Sequence, residues 1–146
     1  MPRPSDEPIR KRVPYAIHDA RDRPISPEQM GGVFARSGIR RPTDDLARLA
    51  KMISHANLMA GAWVEDSLVG VARALTDFSY CCYLSDLAVD RAYQRMGIGK
   101  ALIEFVKSQL SDEVTIILLS APAAKDYYKP LGFEWADNAW RLPRRK

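Results

Sequence analysis

The chain has 146 residues, 47% hydrophobic and 27% charged, with a formal net charge of +4. That length and balance fit one soluble globular domain with one core, and no apolar run approaches the ~20 residues of a membrane helix. The basic excess gathers at the ends, in Arg3, Arg10, Lys11 and Arg12 and in Arg141, Arg144, Arg145 and Lys146. With no aromatic-interleaved basic stripe, it reads as solvated tails, not as a nucleic-acid surface.

The two histidines, His18 and His55, lie far apart, which speaks against a zinc site. Cys81 and Cys82 are strand neighbours on opposite faces and read as two buried small residues, not as a disulfide or metal pair. The first residues contain no apolar h-region, so a cytoplasmic location is the default expectation.

In chain order, residues 1–13 form a tail rich in proline and charge, and residues 14–146 form a single domain. Residues 15–17 suit a short first strand. Ser26-Pro27-Glu28-Gln29 has the form of a capping box with proline at the first helical position, opening a helix that stops at Gly38. Thr43 is expected to cap a second helix, with Asp44 and Asp45 suiting its dipole and Leu46, Leu49, Ala50 and Ile53 as its apolar stripe. Residues 58–64 and 68–75 read as strands across a Glu65-Asp66-Ser67 turn, and residues 80–89 as a central strand. A helix over 99–110 presents Leu102, Phe105, Val106 and Leu110 to the sheet, and a buried strand follows over 115–119. A short helix over 123–129 and a last hairpin of 133–135 with 139–142 around Asp137-Asn138 would close the sheet.

The most informative segment joins the strand ending at Val89 to the next helix through Gln94-Arg95-Met96-Gly97-Ile98-Gly99. Glycines at such a turn let the backbone approach a ligand, and the helix behind them aims its free N–H groups at it. That is a socket for phosphate. A P-loop does not fit, because Gln94 replaces its first glycine and Ala101 its magnesium-binding hydroxyl. A dinucleotide fingerprint does not fit either. Leu102 stands at its third glycine, and Ser120 replaces the acidic residue at the end of the next strand.

The pattern that remains resembles the pyrophosphate loop of the GNAT family of acetyl-CoA-dependent N-acetyltransferases. Further on, Tyr128-Lys129-Pro130-Leu131-Gly132-Phe133 is similar to that family's Tyr-x-x-x-Gly-Phe segment beside the coenzyme's thiol end. The resemblance spans roughly residues 14–142. It implies the GNAT fold, an α/β (α+β) protein with a central mixed sheet flanked by about four helices.

The resemblance also implies a reaction, direct transfer of an acetyl group from acetyl-CoA to a primary amine, with no metal. It implies that the backbone from Gln94 and Arg95 through Met96, Gly97, Ile98 and Gly99 to Lys100 holds the pyrophosphate. Leu87, Ala88 and Val89 would pair with the pantetheine arm, and an amide at or near Val89 would face the thioester oxygen. Tyr127 and Ser120 would add coenzyme contacts, Ser120 standing where many relatives have asparagine. A homodimer is compatible with the family, with no interface named by the sequence.

Amine acylation needs a neutral amine, a polarised carbonyl and a proton for the departing thiolate. Tyr128 is the expected general acid. For the base, the strand offers Ser85 and Tyr83, neither basic at neutral pH. A water held by Ser85, by Tyr83 or by a carbonyl is the alternative to a side-chain base. Asp86 is the strand's one carboxylate, expected opposite Tyr83, Ser85 and Leu87, either as a base or as a structural carboxylate. Candidate acceptor residues are Phe34, Arg40, Arg41, Trp63, Phe78, Tyr80 and Tyr83, with Lys125 and Lys129 as phosphate partners. A non-catalytic acyl-CoA-binding module of the same fold is the alternative function.

Overall fold

The computed structural model describes residues 13–146; the basic and proline-rich tail up to residue 12 lies outside the described residues. Five strands form one sheet in the order β1 (Ala16–Asp19), β2 (Leu58–Val64), β3 (Ser67–Thr76), β4 (Cys81–Val89) and β5 (Thr115–Ile117). The first three pairings are antiparallel and β4–β5 is parallel. The α-helices are α1 (Pro27–Ser37), α2 (Leu46–His55) and α3 (Ile98–Ser108).

Helix α1 begins as its sequence dictates. The Ser26 hydroxyl accepts from Gln29 N at 3.0 Å, and Ser26 N donates to Gln29 Oε1 at 2.9 Å. The helix runs unbroken through Gly31 and Gly32. Gly31 serves close approach, because a Cβ there would press on Leu49 Cδ1 at 3.0 Å and on the Thr43 carbonyl. The cap of α2 is Asp45 and not Thr43, its carboxylate accepting from Arg48 N at 3.1 Å. The cap thus lies two residues later than expected, and of the expected stripe Leu46 and Ala50 are exposed, while Leu49, Met52, Ile53 and Ala56 face the core.

Helices cover both faces of the sheet, so β2 and β3 are buried almost throughout. Under α3, Ile98, Leu102, Ile103 and Val106 pack on Leu58, Ala60, Ala62, Ala72, Ala74, Cys82 and Leu84. Under α1 and α2, Met30, Val33, Phe34 and Leu49 pack on Met59, Trp63, Leu68, Val71 and Ala88. Of the two cysteines only Cys82 is buried, which pushes its thiol up; Cys81 is exposed, and both are free.

The C-terminal third departs from expectation. The strand expected over 115–119 is the three-residue edge strand β5, with Ile117 and Leu119 half exposed. The helix expected over 123–129 is replaced by 3₁₀ turns at Pro122–Ala124 and Lys129–Leu131. Prolines at 122 and 130 leave too few residues between them to repay helix nucleation. A turn does form at Asp137-Asn138, but residues 133–135 and 139–142 stay unpaired. A hairpin is marginal without a sheet to dock on, and β5 offers a short one.

Two outcomes test this packing. Leu102→Ala removes a fully buried side chain and is expected to cost about 2–5 kcal/mol in denaturant unfolding. At the β3–β4 turn, Asp77 Oδ1 accepts from the backbone N–H groups of Tyr80, Cys81 and Ser79, which lowers its pKa from 3.8 to about 2. A carboxyl whose folded value lies below its unfolded one stabilises above the unfolded value and loses that contribution as pH falls through the folded one. The stability difference between the unaltered protein and Asp77→Asn should therefore be constant near neutrality and shrink between about pH 4 and 2.

Candidate active site

Pairing between β4 and β5 covers only Cys81, Cys82 and Tyr83, opposite Thr115, Ile116 and Ile117. Among the described residues, β4 from Leu84 to Val89 is bonded to β3 on one side and to no strand on the other. The register explains the divergence. Arg73 pairs with Asp86 but Ala74 pairs with Leu84, so Ser85 is an extra residue, a β-bulge. Bulges bend the strand that carries them, and here the bend coincides with the end of the β5 pairing. The result is a run of backbone N–H and C=O groups open to an extended ligand.

The bulge also corrects the expected facing of Asp86. Cys82 and Leu84 point toward α3. Past Ser85 the parity inverts, so that Asp86 and Ala88 point toward α1 and α2, on the face of Tyr83 and Leu75. Simple alternation placed Asp86 opposite Tyr83; the extra residue puts both on one face. Asp86 is 1% exposed and accepts from two guanidinium groups. Arg41 Nε reaches Oδ1 at 2.5 Å, and Arg73 Nε bonds Oδ2. Arg73 Nη2 also donates to Ser85 Oγ at 3.0 Å, and Arg41 Nη2 to the Ser85 carbonyl at 2.8 Å. Asp86 thus joins the α1–α2 linker to β3 and β4, and of the two readings the structural one fits. Arg73 was not among the expected site residues, although an arginine inside the apolar run Leu68–Leu75 signals a buried charge in need of a partner.

At the other end of the open edge lies the glycine loop. Arg95 and Gly97 have φ of 67° and 83°, both in the left-handed region; Arg95 is one of few non-glycine residues in this chain to accept that conformation. Such a sequence of conformations turns successive N–H groups inward around an anion. Gly97 is the N-cap of α3 and brings no side-chain cap, so the first N–H groups of the helix have no side-chain partner. Arg95 and Lys100 are exposed beside them, while Met96 and Ile98 anchor the loop in the core. Gln94 Nε2 donates to the Val89 carbonyl at 3.0 Å and ties the loop to the end of β4. Asp90 caps the intervening 3₁₀ turn through Ala92 N, and Arg36 of α1 donates to it at 2.7 Å.

The two tyrosines divide between groove and core. A Cβ on Gly99 would overlap the Tyr127 hydroxyl, with Val89 Cγ2 next nearest, so the Tyr127 phenol lies where α3 begins and β4 ends. Tyr128 packs against the α3-side core and meets Tyr127 and Phe133 edge to face, at centroid distances of 5.1 and 5.5 Å. Burial raises both phenol pKa values, with the neighbouring Tyr127 adding to the effect on Tyr128. Both therefore keep their protons through neutral pH.

Other expected residues lie elsewhere. Phe34 and Trp63 are core side chains with no access to a ligand. Phe78, Tyr80 and Tyr83 are exposed, and Lys125 Nζ sits 4.8 Å from the Trp135 ring centre. Ser120 follows β5 and is half buried. Among the described residues no group of three or more His, Cys, Asp and Glu is arranged to hold a metal, and no helix is long and apolar enough to cross a membrane.

Removing the charge that joins linker to sheet has a calculable cost. Asp86→Asn leaves two guanidiniums facing each other and is expected to destabilise by on the order of 3 kcal/mol in chemical unfolding.

The model of the acetyltransferase (GNAT) domain matches residues 30–140. GCN5-related N-acetyltransferase 1, chloroplastic, of Arabidopsis thaliana is 32% identical over 112 residues, covering 73% of this chain and 55% of that protein. Serotonin N-acetyltransferase 2, chloroplastic, of Oryza sativa subsp. japonica is 30% identical over 118 residues, covering 75% and 56%. The chain spans about half the length of these curated relatives. A GNAT-family acetyltransferase from Streptococcus pneumoniae TIGR4 superposes with a TM-score of 0.71 at 20% identity, over 91% of this chain and all of the other. An aminoglycoside N-acetyltransferase solved with CoA superposes at 0.67 and 17% identity, over 91% and 96%. At those identities the superpositions establish the fold.

Proposed function

The chain belongs to the GNAT acetyltransferase family, and we propose that it moves an acetyl group from acetyl-CoA directly to a primary amine within a ternary complex. The observation that carries this reading is the meeting of two features at Val89. The unpaired edge of β4 ends there, and the uncapped N-terminus of α3 begins across the loop from it. An extended pantetheine arm fits the first by adding to the sheet as a strand would. A pyrophosphate fits the second.

In this reading the loop from Gln94 to Lys100 binds the pyrophosphate through backbone N–H groups, with Arg95 and Lys100 adding positive charge. Leu87, Ala88 and Val89 align the arm, and an amide at or near Val89 donates to the carbonyl oxygen as charge develops on it. The amine loses its proton to a water held at Ser85, whose hydroxyl Arg73 orients. The nitrogen bonds to the carbonyl carbon and releases its remaining surplus proton to the same water, the carbon–sulfur bond breaks, and the thiolate takes a proton from a tyrosine, which regains one from solvent. Tyr128 is the motif residue for that step. Tyr127, with its hydroxyl beside Gly99, is the second candidate and the one whose phenol lies where α3 begins. Retention of both protons at neutral pH suits a proton donor.

Gly97→Pro cannot adopt φ of 83°, and Gly99→Val intrudes on Tyr127. Each is expected to raise the Michaelis constant for acetyl-CoA by tenfold or more, measured by thiol release at fixed acceptor. Unchanged constants in both would remove the loop assignment. Tyr128→Phe and Tyr127→Phe, compared at saturating acetyl-CoA, identify the proton donor. The expected result is a fall in kcat for Tyr128→Phe of about 10²-fold, with a preserved thermal shift on coenzyme binding. Binding without any thiol release across a broad amine panel would favour an acyl-CoA-binding module instead.

A further inference from the structure

The face of the sheet opposite α3 carries a charge imbalance at the point where β4 leaves β5. Arg41 and Arg73 share the single carboxylate of Asp86, and Arg40 stands exposed next to them. The other nearby carboxylates do not offset this: Asp45 is engaged at the N-terminus of α2, and Asp44 is exposed in the linker. Of the two guanidiniums, Arg73 is enclosed and also bonds Ser85 Oγ and the Met52 carbonyl. Arg41 is the outward one, its side chain 26% exposed against 10% for Arg73. Its Nε is taken by Asp86, and its two terminal nitrogens each give one hydrogen to a carbonyl, that of Arg40 at 2.6 Å and that of Ser85 at 2.8 Å. Each terminal nitrogen carries two hydrogens, so an unused pair remains on a guanidinium that no anion fully neutralises.

The bond from Arg41 to the Ser85 carbonyl places this cation within one peptide unit of the bulge. On the same face, two rungs along the ladder, Leu75 and Tyr83 pair across β3 and β4 and expose about two fifths of their surface, 42% and 41%. A cationic fork beside an apolar shelf, both at the start of the open edge, describes a complementary molecule.

We propose that the acceptor is an amino acid with an apolar side chain, its carboxylate bonded by Arg41 with Arg40 adding attraction, and its side chain laid on Leu75 and Tyr83. This deepens, and rests on, the acetyl-transfer reading above. The carboxylate must lie only a few bonds from the amine, because Arg41 touches the residue at which the amine would be deprotonated. Arg41 is in this sense a specificity residue, while Asp86 and Arg73 hold it in place. An uncharged arylalkylamine lacks the group that the site is built to pair.

Three acceptors of one skeleton test this: phenylalanine, phenylalanine amide and 2-phenylethylamine, compared by kcat/KM from thiol release. Charge-assisted hydrogen bonds of this kind discriminate by about tenfold or more, so phenylalanine is expected to exceed both others by that factor. Arg41→Lys keeps a cation for Asp86 but loses the fork, and should cut the acid-to-amide ratio at least fivefold. Arg40→Gln, at an exposed position, should cut it about twofold without affecting the fold. In both variants a retained thermal shift with acetyl-CoA checks that the protein is folded and binds its donor. Equal or better rates with the amide or phenylethylamine, or ratios unmoved by both substitutions, would overturn the proposal and leave acetyl transfer standing. Failure of acetyl-CoA to stabilise the unaltered protein would remove the transferase reading and this one with it.

Discussion

One extra residue in β4 governs the site. Without Ser85 as a bulge, β4 would continue beside β5 in regular register, and no backbone groups would be left for an extended ligand. The same residue turns Asp86 toward α1 and α2, where it gathers Arg41 and Arg73. A strand normally has two choices for each side chain, up or down. The bulge allows the groove on one side and the ion cluster on the other to arise from a single irregularity.

The energetics of that cluster differ from those of a surface ion pair. A carboxylate removed from water is tolerated because each oxygen meets a guanidinium and each arginine adds a bond to Ser85. An apolar replacement of all three residues would pack at least as well. What the ionic version supplies is position: it ties the linker between two helices to β3 and to β4 at its bulge. The uncovered edge near β5 contrasts with this order. Ile117 and Leu119 are half exposed there, Trp135, Trp140 and Leu142 further along the chain are largely in solvent, and the hairpin expected around Asp137-Asn138 does not pair with the sheet.

Elements written in local chemistry were legible from the sequence. The capping box of α1, the β2–β3 hairpin and the glycine loop depend on residues a few positions apart, and each forms close to where it was expected. Asp45 displaced Thr43 as the cap of α2: two good capping residues lay within one turn, and it is the Asp45 carboxylate that meets Arg48 N. The bulge was not legible. Cys81–Val89 alternates well enough to pass as a regular strand, and only pairing with β3, fixed at long range, shows that Ser85 has no partner. The shared carboxylate was hidden for the same reason, since Arg41, Arg73 and Asp86 come from three separate segments. Tyr127 and Tyr128 show the limit most plainly. Adjacent residues of one kind differ in role by which way a short turn faces, and nothing within that turn records it.

The bond between Arg36 and Asp90 joins the last turn of α1 to the entry of the glycine loop. Helix α1 belongs to one face of the sheet and the loop anchors in the core of the other, so one carboxylate joins elements from both faces. The sheet thus carries a polar tie between its two faces at the point where β4 ends.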